Sequence, residues 1–510
     1  MAKVTLIRPP ALIPKIRVAS WVNTPPIAMA YLAASLRAGG HQPVIVDALG
    51  EDPFNRTPCF DDRVAAVGLP IDEIVARIPE DSDVIGLSCM FSQDWPYMQQ
   101  IAAAIRARFP RTLIVAGGEH ITAVPQFSLD SCPAIDICVL GEGEEAIVDI
   151  ANCAATGGDF NHLKGIALRR NGEAVLTPPR ARLRDVDAIP APAWDLVPLN
   201  TYLDNGFGFG VGRGRTIPML ATRGCPYQCT FCSSPTMWTT RWVARDPAKV
   251  LDEAQGYIDR YGVTNIEFYD LTAVVKRDWT LDFCRMIEER GMKFTFQVPQ
   301  GTRTEVLDEE VCRALYKAGC HNLTYAPESG SASVLNRIKK RVHLDKMMVS
   351  MRAAKKAGIG VMAHIIFGFP DDSRREAWES VLFMAKMAMA GVNDVRIYIF
   401  IPYPGSELFN QLREQGKLPN LDVEYFLSLL SMNDLAKPVS RCANMSSREL
   451  SIMRLVGYFV FYGTQYAARP WRLLRMVYNF VFRREESYLD KALLSLAQRR
   501  SAAGMADAAH

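Results

Sequence analysis

Apolar residues fall in two alternating registers over the first 150 positions of the chain. Continuous apolar runs at 4–7, 44–46, 84–88, 113–117 and 137–140 have the pattern of strands buried on both faces. Between them, segments at 27–38, 71–78 and 97–109 carry apolar residues three and four apart, which predicts amphipathic helices. Strand and helix in repetition predict an α/β parallel sheet covered on both faces. Periodicity fades over 157–212, where Pro178, Pro179, Pro190, Pro192 and Pro198 accumulate, so a stiff connecting strap is expected there. Alternation resumes at Thr216. Strands are expected at 216–221, 266–269, 293–298, 322–326, 360–367 and 395–401, and helices at 280–290, 309–318, 344–357 and 374–390. Six such units make a partial parallel barrel whose site lies at the C-terminal ends of its strands. Beyond 416 the pattern is helical, with apolar and aromatic stretches at 452–466 and 471–484. The expected division is 1–155, a linker over 156–212, a barrel over 213–415 and a helical region over 416–510.

Composition narrows the class. A chain of 510 residues with 49% hydrophobic and 22% charged side chains has material for several buried cores. The balance of 58 basic against 55 acidic side chains, a net charge of +3, argues against nucleic acid as a partner. Twelve cysteines, most of them scattered, suit a reducing cytoplasmic setting better than a disulfide framework. Met1-Ala2-Lys3 runs straight into the apolar Val4-Thr5-Leu6-Ile7, so an export leader is not expected, and no apolar run reaches spanning length.

One loop carries the chemistry. Cys225, Cys229 and Cys232 stand in C-x3-C-x2-C spacing directly after an apolar strand, with Gly224 and Pro226 for the turn and Phe231 beside the last thiol. Three thiolates on one loop can hold three irons of a [4Fe-4S] cluster and leave the fourth iron open to a small molecule. A structural zinc site wants four closed ligands, and the next cysteine, Cys284, is remote and falls in a helical pattern.

This loop resembles the radical S-adenosylmethionine signature, and the likeness extends over the whole expected (β/α)6, TIM-like barrel. The resemblance implies that S-adenosylmethionine sits on the open iron and is cleaved to a 5'-deoxyadenosyl radical. Pro327-Glu328-Ser329-Gly330 resembles the family's segment after the fourth strand, which implies a cofactor contact from Glu328 and room for the cofactor at Gly330. Phe367-Gly368-Phe369-Pro370 resembles the fifth-strand turn that lies against the adenine, giving Gly368 and Pro370 as candidates, and 402–406 resembles the sixth-strand turn. Asp270 stands where the family often has acidic residues after the second strand. Arg303, after the third, has the planar fork to meet a carboxylate.

The first 150 residues resemble the Rossmann-like cobalamin-binding domain that precedes the barrel in one branch of this superfamily. Pro25-Pro26, Leu36-Arg37-Ala38-Gly39-Gly40-His41 and Val46-Asp47-Ala48 match its opening, and Gly117-Gly118-Glu119-His120 and Gly141-Glu142-Gly143-Glu144 its close. The resemblance makes Ser88, Gly117, Gly118 and Glu142 candidates for cobalamin, the small residues because they permit close approach. Asp47-Ala48-Leu49-Gly50 contains no histidine, so no cobalt ligand is expected from this motif, and His41 and His120 are expected to be structural.

The implied activity is that of a cobalamin-dependent radical methyltransferase acting on an unactivated carbon, or on phosphorus, of a small molecule. Its cofactors would be a [4Fe-4S] cluster, S-adenosylmethionine and cobalamin, with flavodoxin or ferredoxin as electron donor. Two alternatives stay open: an anaerobic oxidative cyclase-like enzyme for a tetrapyrrole or lipid-like substrate, and a non-catalytic cobalamin-binding sensor or carrier. The stretch 471–484, apolar and rich in arginine, can rest on a membrane or a partner; equally, it can pack on the barrel with its arginines outward.

Overall fold

The computed structural model describes residues 1–14, 23–302, 306–432 and 438–507, with side chains as far as 497. Arg303 lies outside the described residues. The fold is mixed α/β, built on two large sheets.

The N-terminal sheet has seven strands in the spatial order Glu173–Leu176, Ile166–Arg170, Ile137–Val139, Leu113–Gly117, Val84–Ser88, Lys3–Arg8 and Gln42–Asp47. The last five are parallel, with Val4 opposite both Val84 and Pro43. Their near-continuous apolar character follows from cover on both faces. On one face Leu6, Val115 and Val139 join Leu36 of helix Ile27–Ala38 and Ile150 of helix Glu144–Thr156. On the other, Ile85, Leu87 and Ile114 meet Met98, Ile101 and Ile105 of helix Trp95–Arg108.

Residues 156–212 are not simply a linker, as the sequence suggested. Ile166–Arg170 and Glu173–Leu176 extend the sheet as an antiparallel hairpin. Its two-residue turn, Asn171-Gly172, has φ of +51° and +88°, the pair of positive values that an Asn-Gly hairpin turn supplies at least cost. The proline-rich remainder does act as a strap: Ala193 N–H donates to the Ala30 carbonyl at 2.9 Å, and buried Trp194 lies edge-on to Tyr257, 6.4 Å between ring centres. A small antiparallel sheet of Ala11–Pro14, Val64–Val67 and Arg56–Cys59 occupies part of the region expected to be irregular.

The second sheet is parallel and runs in sequential order: Thr216–Met219, Asn265–Phe268, Thr295–Thr302, Cys320–Glu328, Gly360–Phe367 and Asp394–Ile399. Its first and last strands do not pair, so the barrel is open-sided. Asp246, Asp308 and Ser373 cap the N-termini of the helices that follow them, and left-handed Gly262, Gly358 and Gly391 end three of the helices.

The helices beyond 416 pack against both sheets. Tyr425 and Phe426 of helix Val423–Ser428 join the core of the N-terminal sheet. Helix Ser447–Ala468 packs on helix Arg374–Ala390 and on strand Asp394–Ile399. Lys491 reaches the barrel interior, where its Nζ donates to the carbonyls of Gly208 and Gly210 at 2.8 and 2.6 Å. That glycine-rich segment lines the inner wall: Gly210 N–H donates to Glu267 at 2.7 Å and Val211 N–H to Gln297 at 2.9 Å. The open side is thus filled by chain from both ends of the barrel.

Candidate functional site

The two sheets meet at the C-terminal ends of their strands. Glu142 and Glu144 follow Ile137–Val139 of the first sheet, and Arg223 follows the first barrel strand. Arg223 donates to Glu144 at 2.5 Å and to Glu142 at 3.4 Å, with all three side chains largely buried. Ser233, next to Cys232, donates to Glu119 at the end of strand Leu113–Gly117. Tyr403, after the last barrel strand, accepts from Ser92 N–H at 2.9 Å and donates to Gln93 at 2.8 Å, beyond the end of strand Val84–Ser88. Cys225, Cys229 and Cys232 therefore sit on a loop anchored to the first sheet just before the first thiol and just after the last.

Local chemistry explains the shape of the loop. Gly224 has φ of +85°, and a Cβ there would collide with the Arg241 carbonyl. Thr230 N–H donates to the Ile338 carbonyl at 3.0 Å, and Phe231 lies 5.6 Å from Phe369 and 6.0 Å from the Lys340 ammonium. All three thiols are free of disulfides and half-buried. Burial pushes the Cys232 thiol up to about 12, with Glu119, Cys229 and Cys225 adding to the rise and the Ser234 N–H opposing it. Among the described residues, no three or more His, Cys, Asp or Glu side chains converge on a single ion. A four-iron cluster asks for something different, one thiolate per iron, and this donor set fits it.

The structure distributes the other candidates unevenly. Glu328 ends the fourth barrel strand in a left-handed conformation, φ +66°, rare for a residue with a side chain. Its buried carboxylate pairs with Lys340 at 3.0 Å, which brings Glu328, Lys340 and Phe231 together beside the cysteine loop. Asp270 is buried beneath the same loop. Its Oδ2 accepts from Ala221 N–H at 3.2 Å, its Oδ1 has no partner, and burial raises the group to about 6. Ser88 and Gly117 lie opposite each other at the ends of their strands. A Cβ on Gly117 would touch only Val139, at an ordinary 3.7 Å.

Five candidates make contacts within the protein. Glu142 accepts from Arg182, Arg223 and Leu183 N–H, which commits its oxygens within the protein. Gly118 lets two strand-end loops approach: a Cβ there would stand 2.5 Å from the Cys89 carbonyl oxygen. At Gly330 and Gly368 the chain makes room for protein, since a Cβ would meet Phe383 at 2.5 Å and Leu450 at 2.7 Å respectively. The Pro370 carbonyl is taken by Ala443 N–H at 2.8 Å. His41 bonds Ala2 N–H and Asn152, and His120 is buried against Trp95 with its Nδ1 on the Ser92 hydroxyl.

Three residues here had no signal in the sequence. Asn23 is 1% exposed, and among the described residues neither end of its carboxamide has a partner. The carbonyl of its neighbour Thr24 accepts from Arg8, at the end of the first strand of the N-terminal sheet. His364 and Arg396 are register partners on adjacent barrel strands. The buried Nε2 of His364 has no partner, and burial, with Arg396 and Lys340 close by, holds the ring neutral with its pKa down at about 3. A cleft of about 680 Å³ opens elsewhere, between the C-terminal helices at the N-terminal end of strand Asp394–Ile399, and none of the cysteines lines it.

Comparison with known proteins supplies the class. Residues 219–384 match the Radical SAM superfamily and residues 16–151 the B12 binding domain. An uncharacterized methyltransferase of Pyrococcus horikoshii is 28% identical over 479 residues, 94% of this chain and 95% of its own. The cytidylyl-2-hydroxyethylphosphonate methyltransferase of Streptomyces wedmorensis is 27% identical over 425 residues, 77% of this chain and 78% of its own. The radical S-adenosylmethionine methyltransferase TsrM of Kitasatospora setae, solved with cobalamin and a [4Fe-4S] cluster, shares the fold. It superposes with a TM-score of 0.64 at 18% identity, over 81% of this chain and 75% of that one.

Proposed function

Since this chain belongs to the radical S-adenosylmethionine enzymes that carry a B12-binding domain, we propose that it is a methyltransferase. It would move a methyl group from S-adenosylmethionine, by way of cobalamin, to an unactivated carbon or to phosphorus of a small molecule. One observation carries this reading. The cysteine loop is clamped to the strand ends of the N-terminal sheet through Arg223 and Ser233, so groups bound by the two sheets open onto a common space.

Each group has residues suited to it. Cys225, Cys229 and Cys232 would hold the cluster, and Glu328 offers a buried carboxylate beside it for the ammonium of S-adenosylmethionine. Gly117, Ser88 and the unpaired carboxamide of Asn23 suit a large ligand rimmed with amides, as cobalamin is. When bound, the cluster and cobalamin supply one-electron cleavage and methyl carriage, chemistry that protein side chains do not provide. The protein's own part is orientation and exclusion of water. Arg223 fixes the loop's entry, Asp270 holds Ala221 just before it, and Phe231 against Phe369 ties the loop to the fifth-strand turn. A one-electron donor of the flavodoxin or ferredoxin kind would complete the system.

The test is anaerobic reconstitution with iron, sulfide and cobalamin, followed by incubation with methyl-deuterated S-adenosylmethionine, reductant and small-molecule extracts. S-adenosylhomocysteine, 5'-deoxyadenosine and a deuterated product together are the expected outcome. Release of 5'-deoxyadenosine with no S-adenosylhomocysteine would overturn methyl transfer in favour of cyclase-like radical chemistry.

A further inference from the structure

Helix Trp471–Val481 is built inside out. In helix Trp471–Val481 the least exposed positions are Arg472, Met476 and Asn479, four and three residues apart, so the inward stripe is largely polar. Arg472 donates to the carbonyls of Val392 and Gly391 at 3.1 and 2.9 Å, and Asn479 donates to Asp490 at 3.0 Å. The outward side is apolar, with Leu474 73% and Val481 65% exposed and Trp471 and Phe482 at its two ends. Helix Ser447–Ala468 does bury apolar residues, Leu450 and Phe461 in the barrel core, but it is apolar on its outer side as well. Arg454 and Gln465 are buried, while Ile452, Leu455 and Phe459 point outward, the last 79% exposed. A surface helix ordinarily turns its apolar stripe to the core. Helix Trp471–Val481 reverses this, and together with Ile452, Leu455 and Phe459 of its neighbour it leaves an apolar face larger than scattered exposure accounts for.

Charge decides the occupant. Among the described residues, Arg448, Arg483 and Arg484, on or directly after these helices, have no acidic partner. Glu449, the one acidic residue of the two helices, is taken by Arg374 at 2.6 Å. A two-fold contact with a second copy would set these cations against themselves with no acid to meet them. An anionic bilayer satisfies both halves of the surface, apolar side chains entering the acyl boundary and arginines at headgroup level. No helix among the described residues is long and apolar enough to cross a membrane, so the contact is one of lying on the surface.

We propose that helices Ser447–Ala468 and Trp471–Val481 dock this protein on the surface of an anionic phospholipid bilayer. The proposal does not depend on the reaction catalysed. Full-length protein is floated with phosphatidylcholine vesicles with and without phosphatidylglycerol, and its self-association is measured by sedimentation. The wild type should float with the phosphatidylglycerol vesicles and dissociate as salt is raised. Leu474→Glu with Val481→Glu, both at exposed positions, should abolish flotation while leaving the melting temperature unchanged. Replacing Arg483 and Arg484 together by alanine should weaken binding about thirty-fold. Wild-type protein that stays in the soluble fraction at low salt overturns the proposal. So does a wild-type dimer that the Leu474→Glu, Val481→Glu variant converts to monomer, which would assign the face to a second copy.

Discussion

Removing Arg223 tests whether the cysteine loop is truly fastened to the N-terminal sheet. Its side chain is 6% exposed, bonds Glu144 at 2.5 Å and Glu142 at 3.4 Å, and lies 5.2 Å from the Tyr31 ring centre. In Arg223→Leu, Glu142 keeps Arg182 and Leu183 N–H, so the loss falls on Glu144, left buried without its cation. Breaking one side of a buried ion pair costs about 3–5 kcal/mol, whereas replacing both sides by apolar groups is close to neutral. Unfolding of a chain with several cores is not a single transition, so the readout is the midpoint of the first transition in urea, followed by circular dichroism. With m near the upper end of its usual range, about 3 kcal/mol/M, the midpoint should fall by roughly 1–2 M. Arg223→Leu combined with Glu144→Leu should recover most of that shift, a strongly non-additive double-mutant cycle. A midpoint for Arg223→Leu within about 0.2 M of wild type, or simple additivity in the cycle, would refute the clamp.

Other outcomes follow from single sites. Burial, opposed by Leu12 N–H and Arg8, pushes the Asp94 carboxyl up to about 7. The folded chain then holds a proton that the unfolded chain releases near pH 4, so this group's contribution to stability is present below about pH 4 and lost as pH rises through about 7. Asp94→Asn should flatten the dependence of melting temperature on pH across that window; an unchanged slope would show that the carboxyl is not so perturbed. Gly330→Ala should destabilise by about 1–3 kcal/mol, because its Cβ would press on Ser380 and Phe383 of a packed helix. Gly256→Ala, at an open position inside helix Pro247–Tyr261, should stabilise by about 0.5–1 kcal/mol. Equal melting shifts for the two variants would contradict these assignments. Cys229→Ala should fail to assemble the cluster and make no 5'-deoxyadenosine in the reconstituted assay. Full cellular activity in that variant would revive the reading as a cobalamin-binding sensor or carrier.

Local signals were readable wherever the chemistry that sets them lies within a few residues. Helices Ile27–Ala38, Leu344–Ala357 and Arg374–Ala390 begin and end at the residues their periodicity indicates, with Gly39, Gly358 and Gly391 as the stops. The cysteine spacing and the glycine of its turn are equally local. The hairpin at Asn171-Gly172 carried a legible turn signal, outweighed by the prolines around it. Glu142, Gly118, Gly330 and Gly368 were harder, because a conspicuous glycine or glutamate looks the same whether it makes way for a ligand or for protein.

The sequence by itself determined two α/β units in order and a loop with the cysteine spacing of a cluster, since periodicity, turn residues and ligand spacing are properties of short stretches of chain; the classes of cofactor came from its resemblance to a family. The tertiary structure decided what those stretches face. Arg223 meets Glu144 across 79 residues and Tyr403 meets Ser92 across 311, pairings that depend on how two sheets dock and that no local pattern ranks. The same holds for helix Trp471–Val481. Its sequence is compatible with arginines outward or inward, and only the Val392 and Gly391 carbonyls, left without helical partners at the mouth of the barrel, turn Arg472 inward and the apolar side to the outside.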